Sequence, residues 1–263
     1  MERERLNDLI GAFAEGLLEI LGDRLYGAYI HGAVAFGDDI PTGDLDFHVV
    51  LTRPLDDATR SRLCDLHDSL ARDFPPLGVG MDGYYILLDD ARGTKPPESQ
   101  MWQRAKDLSW ALHRRHMRAG RVIVLHGPQP GDVFPPATWP EIEMALEGEL
   151  GYVRRHLEEY PHYSVLQLCR LVYSFETRDA VVSKARAARW ATGALPNWRR
   201  YVKLAVKMYE GLAGEGERSA ILEGIAELLE EAEQRISCAR GRSSPWNPGE
   251  DQQQKGDAGN GRE

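Results

Sequence analysis

Strand-like sequence is confined to the first half of this chain. Four runs, 25–31 (LYGAYIH), 45–51, 80–88 (GMDGYYILL) and 122–125, carry the Val, Ile, Tyr and Leu of extended segments, and none follows them. Helical spacing surrounds and then replaces them. Leu6, Ile10, Phe13, Leu17 and Leu21 predict an amphipathic helix over 3–22, and Leu63, Leu66 and Leu70 predict another over 55–73. A third helix is expected at 100–119. Beyond 140 nearly everything reads as helix: 140–158, 163–176, 183–192, 197–213 and 217–239. Strands early and helices late predict an α+β fold, a sheet domain over 1–132 followed by a helical bundle over 133–239. The five prolines between Gly127 and Pro140 read as the linker. Residues 240–263, polar and rich in Gly and Gln, are expected to be disordered.

Composition narrows the class. At 263 residues and 42% hydrophobic the chain can bury a sizeable core. It contains no apolar run long enough to span a membrane and starts with no signal-like segment. Three scattered cysteines, Cys64, Cys169 and Cys238, form no CxxC pair, so a reducing cytoplasm is expected. A formal net charge of −9 disfavours a broad nucleic-acid surface, which needs clustered Lys and Arg. One stretch runs against that balance. Arg178, Lys184, Arg186, Arg189, Arg199, Arg200, Lys203 and Lys207 face a single acid, Asp179. It reads either as a solvated helix face or as a ligand surface.

The informative segment is Tyr29-Ile30-His31-Gly32-Ala33, followed ten residues later by Asp44-Leu45-Asp46. Side chains alternate along a strand, so Asp44 and Asp46 project to one side. Two carboxylates that close repel unless a cation lies between them, and hard oxygen donors suit Mg²⁺. Gly32 permits close backbone approach to a ligand, and amides at the following turn suit phosphate. No Walker A sequence is present, which argues against a P-loop kinase.

The stretch YIHGAVAFGDDIPTGDLDFHVV resembles the signature of the DNA polymerase beta-like nucleotidyltransferase superfamily. More narrowly it is similar to the aminoglycoside 3''- and 9-adenylyltransferases, the streptomycin and spectinomycin resistance enzymes. The likeness continues through MWQR (101–104), VLHGP (124–128) and the helical segment 164–196. It implies a mixed sheet followed by a helical domain that completes the nucleotide and acceptor sites. It also implies a monomeric cytoplasmic enzyme with small-molecule partners only, neither nucleic acid nor membrane. That enzyme would move AMP from ATP to a hydroxyl of a cationic aminoglycoside or aminocyclitol.

Carried over by position, Asp44 and Asp46 would hold two Mg²⁺ ions on the triphosphate. Asp82 would be a further metal ligand, acceptor contact and general base. Gly32, Ala33, Gly43, Lys184 and Tyr209 would contact nucleotide, and Trp102 would line the acceptor pocket. Ala33 and Gly43 replace family serines, and Asp82 stands where the family has Glu. The family's acidic residue before the 163–176 helix is replaced by the Tyr160-Pro161-His162 neighbourhood. These departures keep open a weakly active or antitoxin-like binding protein, and a transferase with another acceptor.

Other residues read more plainly. His48, on the Asp46 side of its strand, is expected to be a buried, hydrogen-bonded histidine rather than a ligand. His113 and His116 have helical i, i+3 spacing but no obvious further metal ligands. Cys64 and Cys169 are expected in the core. Arg170 reads as a structural ion pair or a nucleotide contact.

Overall fold

The computed structural model describes residues 2–37, 44–103 and 105–241. In chain order the elements are α1 (Glu2–Leu21), β1 (Leu25–Ile30), α2 (Gly32–Phe36), β2 (Leu45–Leu51), α3 (Asp57–Asp73), β3 (Met81–Leu87) and α4 (Leu88–Ala91). Then follow α5 (Trp110–Arg118), β4 (Ile123–His126), α6 (Pro130–Val133), α7 (Trp139–Arg155) and α8 (Pro161–Thr177). The chain continues through α9 (Lys184–Ala194), α10 (Arg199–Tyr209), α11 (Glu215–Leu222) and α12 (Ile225–Gly241). Among the described residues no helix is long and apolar enough to cross a membrane.

The four strands form one mixed sheet in the order β3-β2-β1-β4. β1 pairs antiparallel with β2 and β4, while β2 and β3 run parallel. Alternation then divides the side chains. Leu45, Phe47 and Val49 of β2 and Tyr85 of β3 join Leu9, Phe13 and Leu17 of α1 and Leu63 and Leu70 of α3 on one face. Val50 and Ile86 face the other way, against Trp110 and Met117 of α5 and Phe134. Asp46 and Asp82, paired across the ladder, stand on this second face.

The helical lobe is organised around α8, whose side chains are buried nearly all round, including Val165, Leu168, Cys169, Leu171 and Val172. It contacts α7, α9, α10, α11 and α12. An all-round apolar helix of this kind suits only the centre of a bundle. Helix α5 serves both lobes: Trp110 and Met117 enter the sheet-side core, and Ala111 and Leu112 enter the bundle core.

Four expectations are corrected. The described residues of 100–109 are not helical. Gln100 N–H donates to Tyr85 O (2.7 Å), and Ser109 N–H donates to Asp107 Oδ1 (3.1 Å), so α5 starts only at Trp110. The proline-rich segment is a strap rather than a slack linker. Pro130, Val133 and Phe134 are buried, and guanidinium groups of α5 donate to its carbonyls: Arg118 to Gly131 and Phe134, Arg114 to Pro135 and Pro136. Helix 217–239 is broken at 223–224 into α11 and α12, and the glycine at the break leaves room for the Tyr201 hydroxyl, which would lie 2.2 Å from a Cβ on Gly224. Cys64 is exposed, whereas Cys169 is buried as expected. Gly43, Arg104 and the expected tail beyond Gly241 lie outside the described residues.

Candidate active site

The site grows from the end of β1. His31 N–H donates to Asp46 O at 2.9 Å, which extends the β1–β2 pairing by one step. The next residue, Gly32, turns the chain into α2 with φ of +64°, in the left-handed region. A Cβ there would sit 1.7 Å from Asp46 Oδ2. The glycine is therefore required twice, by its backbone angle and by the carboxylate lying against its Cα. The parallel register places Asp46 directly beside Asp82. Asp44 precedes β2 and lies by Gly80, where an added Cβ would be 3.2 Å from Asp44 Oδ1.

These residues line a cleft of about 580 Å³ between the lobes. Gly32, Ala33, Asp44, Asp46, Asp82, Lys184 and Tyr209 all reach it. Five of the expected nucleotide or metal residues come from the sheet lobe, with Asp82 as base candidate and Lys184 and Tyr209 facing them from the bundle. The structure does not bring Trp102 to this cleft. Its ring packs on the opposite face of the sheet, with centroids 5.1 Å from His67 and 5.9 Å from Tyr85. Of the basic stretch only Lys184 lines the cleft. Arg178 lies over Trp139, Arg199 donates to Thr192 O, and Lys207 pairs with Glu217.

The electrostatics are those of a cation-binding pocket. Burial, reinforced by Asp82 and Asp44, pushes the Asp46 carboxyl up to about 7, against the pull of His113 and Lys184. Burial and Asp82 also raise Asp44. Burial and the nearby Arg170 pull the Lys184 ammonium down to about 8, while Asp46, Glu149 and Asp44 oppose that fall. Lys184 Nζ sits 4.2 Å from the centre of the Tyr163 ring and 6.0 Å from that of Tyr209.

Several cleft residues escaped the sequence reading. Glu149 of α7 accepts from the Ser109 hydroxyl and, at 2.7 Å, from Gln167 Nε2. Both donors are neutral, so they orient its carboxylate without cancelling its charge. Nothing in the sequence separates Glu149 from the other glutamates of α7. Arg155 lines the same wall, as does Arg170, which the sequence left open between an ion pair and a nucleotide contact. His31 had a signal, its place beside Gly32. The buried His48 meets His31 (2.8 Å) and Asp107 (3.1 Å), the hydrogen-bonded state expected of it. Burial lowers His48 and, more strongly, His31. His113 is raised: Asp107, Asp46 and Glu149 outweigh burial. His116 donates to Ala180 O and takes no part in the cluster that holds His113.

A Gly turn, a strand bearing spaced aspartates and a third carboxylate in register on the neighbouring strand, facing a helical lobe, are the arrangement of a nucleotidyltransferase fold. Residues 132–235 match the family model "Aminoglycoside adenylyltransferase, C-terminal domain". No curated protein sequence matches the chain. Among solved structures it is similar to the spectinomycin adenyltransferase AAD(9) from Enterococcus faecialis, determined with ATP and spectinomycin. The two share 18% identity and a TM-score of 0.72 over 88% of this chain and 99% of that one. Residues 132–235 thus carry that family's C-terminal domain, and the chain as a whole shares the fold of the AAD(9) structure.

Proposed function

We propose that the enzyme transfers AMP from ATP to a hydroxyl of an aminoglycoside or aminocyclitol such as streptomycin or spectinomycin. The observation that carries this reading is the side-by-side placement of Asp46 and Asp82, with Asp44, in a cleft closed by Lys184 and Tyr209. Three hard oxygen donors, two of them held above the usual carboxylate range, fit Mg²⁺, whose binding relieves their repulsion. Asp44, Asp46 and Asp82 would hold the ions, which when bound neutralise phosphate charge and polarise the α-phosphoryl group.

The rest is the work of the chain. Asp82 takes the proton of the acceptor hydroxyl as that oxygen bonds to the α-phosphorus of ATP. The bond from that phosphorus to the bridging oxygen breaks, and pyrophosphate leaves. Lys184, close to the aspartates, and Arg170 near it hold the phosphates in line. Glu149 supplies an oriented negative charge for an acceptor ammonium. A second reading, a relative that binds nucleotide with little turnover, draws on Ala33, which puts a methyl in the cleft where the resembling family has a hydroxyl.

Incubation with labelled ATP, Mg²⁺ and a panel including streptomycin and spectinomycin separates the two. Pyrophosphate release with an AMP adduct is expected. Asp82→Asn should cut the rate about 10²–10⁴-fold while calorimetry still detects ATP. ATP binding without transfer to any acceptor would favour the second reading, and no ATP binding would sink both.

A further inference from the structure

Beneath the carboxylates lie three histidines from three separate elements. His31 ends the β1 extension, His48 is in the middle of β2, and His113 is on α5. Each presents a ring nitrogen within 4.8 Å of one on each of the other two. Their ring centroids are 4.7 Å apart for His31–His48, 4.5 Å for His31–His113 and 5.4 Å for His48–His113. His31 and His48 are buried, and His113 and His31 border the cleft.

Counting protons shows what is missing. One oxygen, Asp107 Oδ2, accepts from His48 Nε2 (3.1 Å) and from His113 Nδ1 (2.8 Å). With its N–H spent there, His48 has a lone pair at Nδ1, to which His31 Nε2 donates across 2.8 Å. That leaves Nδ1 of His31 as a bare lone pair, buried and without a partner. His113, tied to Asp107 through Nδ1, offers Nε2. Three imidazoles gathered about one buried carboxylate reproduce the carboxylate–histidine outer shell of a metal site.

We propose that His31, His48 and His113 form a second metal site, for one late first-row divalent ion such as Zn²⁺, separate from the hard-oxygen site of the aspartates. Imidazole donors select Zn²⁺ or Co²⁺ over Mg²⁺. Binding one ion at about 2.0–2.1 Å draws the nitrogens together and replaces the His31–His48 hydrogen bond, the His31 proton passing from Nε2 to the unpartnered Nδ1. Such an ion ties β1 and β2 to α5, the helix shared by both cores.

The probe is Co²⁺ titrated into the full chain and followed by visible absorption, with Zn²⁺ competition. One equivalent of Co²⁺ with nitrogen-ligated visible bands, displaced by Zn²⁺ and accompanied by a higher melting temperature, is expected. His113→Gln, at a partly exposed position, should weaken Co²⁺ about 100-fold or more, while Asp44→Asn leaves the spectrum unchanged. If the wild-type chain gives no such bands at millimolar Co²⁺, the site does not exist. The same conclusion follows if binding survives His113→Gln but is lost in Asp44→Asn. Neither result bears on Mg²⁺-dependent transfer, which is measured separately.

Discussion

The carboxylate of Asp46 occupies the room in which a side chain at position 32 would begin. Gly32→Ala should therefore remove activity by at least two orders of magnitude and also destabilise the fold. The left-handed backbone angle alone costs about 1–2 kcal/mol, and displacing Asp46 removes its alignment with Asp82. Steady-state kinetics beside a denaturant titration separate the two losses. Glu149→Gln tests the opposite wall. It keeps the contact with Ser109 and removes the charge, so KM for a cationic acceptor should rise about tenfold with KM for ATP unchanged; a rise in the ATP value instead would place Glu149 on the nucleotide. At this scale the sequence was most legible where chemistry and spacing coincide. Gly32, Asp44, Asp46 and Asp82 stand in one motif and its neighbouring strand, and all four line the cleft. Glu149 and Asp107 were illegible because each is one acid among many until the fold brings Ser109, Gln167 or two histidines to it.

Among the elements, the sheet carried its signal in side-chain alternation, and β2 occupies the span its Val and Leu pattern predicts. Trp102 shows the limit of such reading. Which face of the sheet a loop residue joins depends on where the chain passes after Pro96 and Pro97, and here it passes to the α1–α3 side. Trp102→Ala should thus lower stability by about 3 kcal/mol at most, given its partial burial, with little change in acceptor KM. The strap was misread for a related reason. Prolines forbid a long helix, but only the tertiary structure reveals that Arg114 and Arg118 satisfy its carbonyls. Arg114 is fully buried and also pairs with Glu141 at 2.7 Å. Arg114→Met should cost about 3 kcal/mol, read as a fall in melting temperature, because it strands two carbonyls and Glu141 together.

For the molecule as a whole, stability should depend on pH through its buried histidines. Burial holds His67 down at about 4, while it accepts or donates one hydrogen bond with the Tyr85 hydroxyl at 2.9 Å. Between about 6.5 and 4 the unfolded chain takes up a proton that the folded chain refuses. Stability should therefore fall across that window by about 2–3 kcal/mol, with no contribution above it. His67→Gln should flatten that part of a melting-temperature profile against pH; an unchanged slope would remove His67 from the account. The division into a sheet lobe and a bundle was readable from element order alone, whereas the sharing of α5 between their cores was not. Because Trp110 and Met117 serve one core and Ala111 and Leu112 the other, the peptide link through the strap is not what joins the lobes. The enzyme is in effect a pre-assembled pair. Two separately translated pieces, parted just after α6, should find each other and reconstitute the cleft, as gel filtration of the co-expressed halves would show.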